Sequence, residues 1–201
     1  MTRLTSADRA ETAPAPAAPA PAGLAGTGLA GTGLAGTGLA GTGLAGTGLA
    51  ELADTELTLP TAADTEALGA WIGTQLAAGD VVLLSGPLGA GKTVLARGIG
   101  QGLGVVGPVT SPTFVIAREH APAPGGLGVP LVHVDAYRLG GRAELDDLDL
   151  DTDLTAAAVV VEWGEGLASG LAARYLLVRL TRRDDDSRVA RLSWESEPTP
   201  A

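Results

Sequence analysis

Eight residues, GPLGAGKT from Gly86 to Thr93, place three glycines, a lysine and a hydroxyl in the spacing G-x-x-x-x-G-K-T. Glycines let a backbone approach a ligand closely, so successive N–H groups and the start of a following helix can cradle phosphate oxygens. In such a loop Gly86, Leu88, Gly89, Ala90 and Gly91 form the cradle, Lys92 reaches the β- and γ-phosphates, and the Thr93 hydroxyl ligates Mg²⁺. Lys92 is the single lysine of the chain, against twelve arginines. A compact ammonium on a thin stem acts as a point charge inside a tight loop, whereas a planar guanidinium is too wide for it. The ordinary alternative, a glycine-rich turn with an incidental match, is disfavoured by the strand-like run before the motif and the helical run after it.

A phosphate loop needs carboxylates opposite it, and two apolar runs end in one. Asp135 closes LVHVD and Glu162 closes AVVVE. In doubly wound sheets ligands sit outside the carboxyl ends of the strands. Asp135, Glu162 and Thr93 are therefore the candidates to hold Mg²⁺, directly or through water. Taken singly, either carboxylate could be a solvated strand end. His133, two residues before Asp135, reads as a packing residue or a support behind the site. With no second lysine, the [NT]-K-x-D element of a GTPase is absent, and the loop 118–130 holds only Arg118, poor material for a kinase lid. An ATP-binding switch or ATPase stands first on pattern, and a small-molecule kinase second.

The elements that must position these residues are legible in outline. LTLP (57–60) predicts a short strand, and apolar spacing predicts a helix over 62–78 with Thr61 or Asp64 as N-cap. Asp80 ends the connection to VVLLS (81–85), a fully apolar run expected of a strand covered on both faces. A helix follows over 92–103, with Gly102 and Gly104 as its stop signals. TFVIARE (113–119), PLVHVD (130–135) and AAAVVVEW (156–163) read as strands, and RAELDDLDL (142–150) as an acidic helix. YLLVRLT (175–181) and RVARLSW (188–194) alternate in polarity and predict a terminal antiparallel pair. Trp71 and Trp194 are expected in the core.

Composition limits the rest. Residues 12–22 alternate Ala and Pro, and residues 23–47 are five copies of GLAGT, a period too short for a solenoid. Residues 1–56 are thus expected to be a disordered tail, residues 57–196 one α/β domain, and residues 197–201 a disordered end. An adhesive or docking role is the rival reading of the tail. No apolar run is long enough for a membrane span or a secretory signal, and there is no cysteine for a disulfide or thiolate site. A cytoplasmic location fits. The net charge is −10, and the chain from Leu57 onward still carries 18 acidic against 11 basic residues. Such a surface repels nucleic acid, so neither DNA nor direct tight tRNA binding is expected. The segment ELDDLDLDTD (144–153) holds six acids but lacks the glycine and glutamate of a calcium loop, leaving a solvated helix face or a docking face.

Four motifs in order, GPLGAGKT, SPTF (111–114), HVDAYRL (133–139) and VEW (161–163), resemble the TsaE family from about Leu57 to Trp194. The resemblance implies a three-layer P-loop fold with a parallel core sheet and flanking antiparallel strands. It further implies a Mg-dependent ATPase, weak alone, that supports threonylcarbamoyladenosine formation in tRNA together with TsaD and TsaB, without being the transferase. Carried over by residue, Lys92 and Thr93 match the phosphate and magnesium positions, Asp135 the Walker-B-like aspartate and Glu162 a second magnesium-associated carboxylate. SPTF matches a switch-like loop in which Thr113 responds to the γ-phosphate, or else a rigid strand entry. Trp163, Tyr137 and Arg138 follow the family pattern, and Thr65 is a candidate for the adenine contact. The fate of the γ-phosphate separates this reading from a kinase and from a nucleotide-dependent scaffold.

Overall fold

The computed structural model describes residues 47–52, 54–111, 117–138, 156–164 and 172–196. Seven strands form one sheet in the order β1-β7-β6-β2-β5-β4-β3. They are β1 (Thr55–Leu59), β2 (Val81–Ser85), β3 (Ala117–His120), β4 (Leu131–Asp135), β5 (Ala158–Glu162), β6 (Arg174–Arg182) and β7 (Arg188–Ser196). Strands β4, β5, β2 and β6 are mutually parallel, with β7 antiparallel to β6, β1 antiparallel to β7, and β3 antiparallel to β4. Five strands therefore point toward one end of the sheet, and β3 and β7 leave from it. This is the expected α/β architecture: a parallel core flanked by antiparallel strands.

The central strands are apolar because both of their faces are covered. All five residues of β2 and of β5 are buried. On one face Val82, Leu84, Val160 and Val178 pack with Leu68, Ile72, Leu95 and Ile99 of two helices, α1 (Ala62–Gly73) and α2 (Lys92–Leu103). On the other face Val81, Leu83, Val134, Val159 and Val161 form a second cluster. Trp71 lies in the first core, 3% exposed. Trp194 packs at its edge, and its indole N–H donates to the Leu49 carbonyl at 3.3 Å.

Three expectations need correction. The folded region starts before Leu57, because Leu49 of a 3₁₀ turn (Leu49–Leu52) belongs to the core and β1 opens at Thr55. Those residues look like tail because they continue the GLA repeat and then turn acidic. Helix α1 ends at Gly73, not at residue 78, since the Thr74 hydroxyl takes the Trp71 carbonyl at 2.7 Å. Ala77 N–H then donates to Asp80 at 2.8 Å and folds the chain back. Gly104, with φ 69°, ends α2 as expected, but Gly102 lies inside the helix. A side chain at Gly102 would run into the Ala70 carbonyl of α1, so close helix packing is what this glycine serves.

Thr61 and Asp64 prove to be partners in one capping box at the start of α1. The Thr61 N–H donates to the Asp64 carboxylate at 2.9 Å, and the Asp64 N–H to the Thr61 hydroxyl at 3.2 Å. Helix α2 begins differently. Its N-cap is Gly91 in the left-handed region, with no side-chain cap and no acid in the first turn. The expectations for residues 112–116 and for the acidic run 144–153 fall outside the described residues.

Candidate functional site

The glycine-rich loop leaves β2 and enters α2, and two of its glycines have a specific reason to be there. Gly86 has φ 137°, and a Cβ on it would strike the Leu180 carbonyl of β6. Gly91 has φ 109°, a region closed to most side chains. The turn closes through the Ala90 N–H on the Pro87 carbonyl at 3.1 Å, with Ala90 fully buried and Leu88 exposed at the tip. Lys92 is 5% exposed and folds back under the loop. Its Nζ donates to the Gly86 carbonyl at 2.6 Å and to the Pro87 carbonyl at 3.1 Å.

Aromatic residues close the other side of that ammonium. The Nζ stands 3.4 Å from the centroid of the Trp163 ring, a cation–π contact. Trp163 follows β5 with φ 63°, held by its N–H on the Leu84 carbonyl at 3.1 Å. The Tyr137 ring lies 5.0 Å from it, tilted by 52°.

Beside the lysine, the carboxylates assemble from adjacent parallel strands. Asp135 and Glu162 are register partners across β4 and β5. The Thr93 hydroxyl donates to Glu162 Oε2 at 2.9 Å. The second oxygen, Oε1, lies 3.0 Å from His133 Nε2. Glu162 is 2% exposed and His133 is fully buried. Asp135 accepts the Ser111 hydroxyl at 2.8 Å and the Tyr137 N–H at 3.2 Å. Lys92, Thr93, Asp135, Glu162, Trp163 and Arg188 share the wall of one cleft of about 410 Å³. Among them Thr93, Asp135 and Glu162 offer oxygen ligands, a set suited to a hard cation such as Mg²⁺, which keeps several waters and takes few protein ligands.

Of the residues singled out in the sequence, Gly89, Gly91, Lys92, Thr93, Leu88, Asp135 and Glu162 all face this cleft. Thr65 does not. It is fully buried, its methyl stands 3.5 Å from where a Cβ on Gly91 would be, and its hydroxyl donates to the Thr61 carbonyl at 3.3 Å. Thr113 and the Arg138 side chain fall outside the described residues.

Two polar cleft residues escaped the sequence reading. Ser111 opens the SPTF motif, but its bond to Asp135 spans 24 positions and has no local signature. Arg188 begins β7, and its Nε is buried beside Gly91 without a hydrogen-bond partner. It reaches the loop because β6 runs parallel to β2, which brings the β6–β7 turn to the site end. In the sequence Arg188 is one of a basic cluster with Arg182, Arg183 and Arg191, and charge alone could not place it.

Residues 59–190 match the family model "Threonylcarbamoyl adenosine biosynthesis protein TsaE". The chain belongs to the TsaE family. A TsaE from Mycobacterium tuberculosis is 58% identical over 144 residues, covering 68% of this chain and 85% of the relative. The TsaE of Streptomyces coelicolor is 58% identical over 121 residues, 60% of this chain and 80% of the relative. Both carry the name tRNA threonylcarbamoyladenosine biosynthesis protein. Among solved structures, YdiB of Bacillus subtilis superimposes with a TM-score of 0.56 at 28% identity, covering 70% of this chain and 85% of YdiB. The TsaE match begins at Leu59, the last residue of β1, and stops at Ala190 in β7, so it encloses every cleft residue named above.

Proposed function

We propose that this TsaE-family chain binds Mg-ATP in the cleft above the Gly86–Thr93 loop and hydrolyses it slowly. It would do so in support of threonylcarbamoyladenosine formation in tRNA, acting with TsaD and TsaB and touching tRNA only through them. The observation that carries the reading is the convergence of Lys92 and Thr93, from one end of α2, with Asp135 and Glu162, from the ends of β4 and β5, on one cleft.

The chemistry follows from these groups. The uncapped first turn of α2 leaves amides for phosphate oxygens, as the capping box of α1 does not. Lys92 already has its stem in the loop, and its ammonium meets phosphate charge by exchanging contacts with Trp163 and the loop carbonyls. Thr93, Glu162 and Asp135 are the residues that would hold Mg²⁺, whose charge offsets that of the phosphates. Asp135, bonded to Ser111, links this group to the start of SPTF, where Thr113 would respond to the γ-phosphate. The described residues include no evident base aimed to orient water. Slow turnover by the chain alone and completion by a partner follow from that.

The test follows γ-labelled ATP with the chain alone, with Lys92→Ala, and with TsaD and TsaB of the same host. Free phosphate that rises with the partners and disappears in the variant supports the reading. Label transferred to a metabolite would identify a kinase instead. Nucleotide that binds and never turns over under any condition would leave a scaffold.

A further inference from the structure

We infer that His133 is a positioning residue that fixes the Glu162 carboxylate for cation binding; this rests on the Mg-nucleotide reading of the cleft. The two are the most deeply buried polar pair at the site, at 0% and 2% exposure with 3.0 Å between Nε2 and Oε1. A carboxylate only accepts, so the proton shared between the two sits on Nε2.

Packing alone does not account for a histidine here. On its own face of the sheet, Leu131 two residues back and its register partner Val160 on β5 are apolar and buried, and His133 Nδ1 has no hydrogen-bond partner. A buried polar atom left unpaired is costly, and a leucine or valine would avoid it. What the imidazole adds is one N–H aimed at Glu162. The other carboxylate oxygen is taken by the Thr93 hydroxyl. A cation held by both Thr93 and Glu162 would replace that hydrogen bond, leaving His133 as the anchor of the side chain. His133 also shares its sheet face with Asp135, two residues on, so it braces the carboxylate from the side away from the cleft mouth. Partners that orient a metal ligand in this way are worth about 10–100-fold in metal affinity.

The experiment is calorimetric titration of ATP into the full chain, with Mg²⁺ and with a chelator, for wild type, His133→Asn and His133→Gln. Glutamine carries its amide nitrogen out to about the Nε2 position; asparagine stops short of Glu162. The expected result is a loss of about 10–100-fold in the affinity gained from Mg²⁺ for His133→Asn. Binding without Mg²⁺ should stay unchanged, and His133→Gln should keep most of the gain. A folded His133→Asn chain with the wild-type Mg²⁺ gain would overturn the inference, and so would a His133→Gln chain that loses as much. If His133→Asn does not fold, His133→Gln decides alone: a retained gain supports the role, and a lost gain with intact Mg-free binding refutes it. Wild type that binds ATP with no Mg²⁺ gain sinks this inference only. Wild type that binds no ATP sinks the nucleotide reading as well.

Discussion

Replacing Gly98 by alanine sets two effects of opposite sign against each other. In an exposed helix the change stabilises by about 1 kcal/mol, because glycine has the greater backbone freedom to lose. Gly98 is instead buried where α2 crosses α1. A Cβ there would run into the Glu66 carbonyl oxygen and stand 2.9 Å from Ala70 N and 2.9 Å from the Glu66 carbonyl carbon. Ordinary contacts of this kind lie near 3.5–4.0 Å, and the Glu66 oxygen stands nearer than the other two atoms, so the helices must part by about 1 Å or more. The obstructing atoms are backbone and cannot rotate away. Overpacking costs about 1–3 kcal/mol, occasionally more, and rigid backbone obstacles put this case in the upper part of that range, about 2–3 kcal/mol, which outweighs the propensity gain. A net loss of about 1–2 kcal/mol is expected in urea unfolding, read as a lower midpoint at unchanged slope. Because α2 carries Lys92 and Thr93 at its first turn, a shift of this size also moves both against Glu162. Displacement by about 1 Å can cost on the order of 100-fold in a positioned reaction. Under the proposed function, partner-stimulated ATP turnover should therefore fall by more than stability alone explains, with the protein still folded at the assay temperature. Gly100→Ala is the comparison, since its Cβ would meet the side-chain methyls of Val109 and Val105, which can give way. A Gly98→Ala chain as stable as wild type, or no worse than Gly100→Ala, would refute the reasoning.

Two further outcomes concern stability. Thr61→Ala removes the side-chain half of the α1 capping box and should lower stability by about 1 kcal/mol in the same urea assay. ATP affinity should not change, since Thr61 does not line the cleft. His120 is held below the ordinary histidine range, first by burial and then by the charges of His133 and Arg118, against an opposing hydrogen bond to Val106. The unfolded chain therefore takes up this proton more readily than the folded one. The contribution is complete above the unfolded value of about 6.5 and is lost as pH falls through the lower folded value. Urea midpoints for wild type should drop between pH 7.5 and pH 5 more than those of His120→Leu; equal drops would remove His120 as the cause.

The sequence showed most clearly what depends on local pattern. Strand β2 and helix α2 fall where the apolar run and the phosphate loop placed them, because a fully buried strand and a glycine-bounded helix leave compositional marks. The β6–β7 hairpin was legible from its alternating sequence, although Leu176, Leu177 and Val178 of β6 are buried in succession because both faces of the sheet are covered there. Order and direction in the sheet were not, since the pairing of β2 with β5 and β6 joins segments far apart in the chain. Within the site, the types and ends of Lys92, Thr93, Asp135 and Glu162 were readable. The buried bond of His133 to Glu162, the hold of Ser111 on Asp135 and the arrival of Arg188 beside Gly91 are long-range contacts that no local spacing announces. Leu49 was missed because a repeat sequence conceals one leucine that docks.

Five strands running toward one end of the sheet gather the cleft residues named above at that end. The connection from β3 to β4 lies at the opposite end, and Gly125 and Gly128 within it have open space around them, whereas Gly126 is pressed against Gly104. A five-residue strand puts about 16 Å between that turn and the cleft. The junction of Leu127 and Gly128 is thus a natural handle. A dye, an affinity tag or a surface tether inserted there would hold the protein by the end opposite the cleft, with the cleft facing whatever is brought to it.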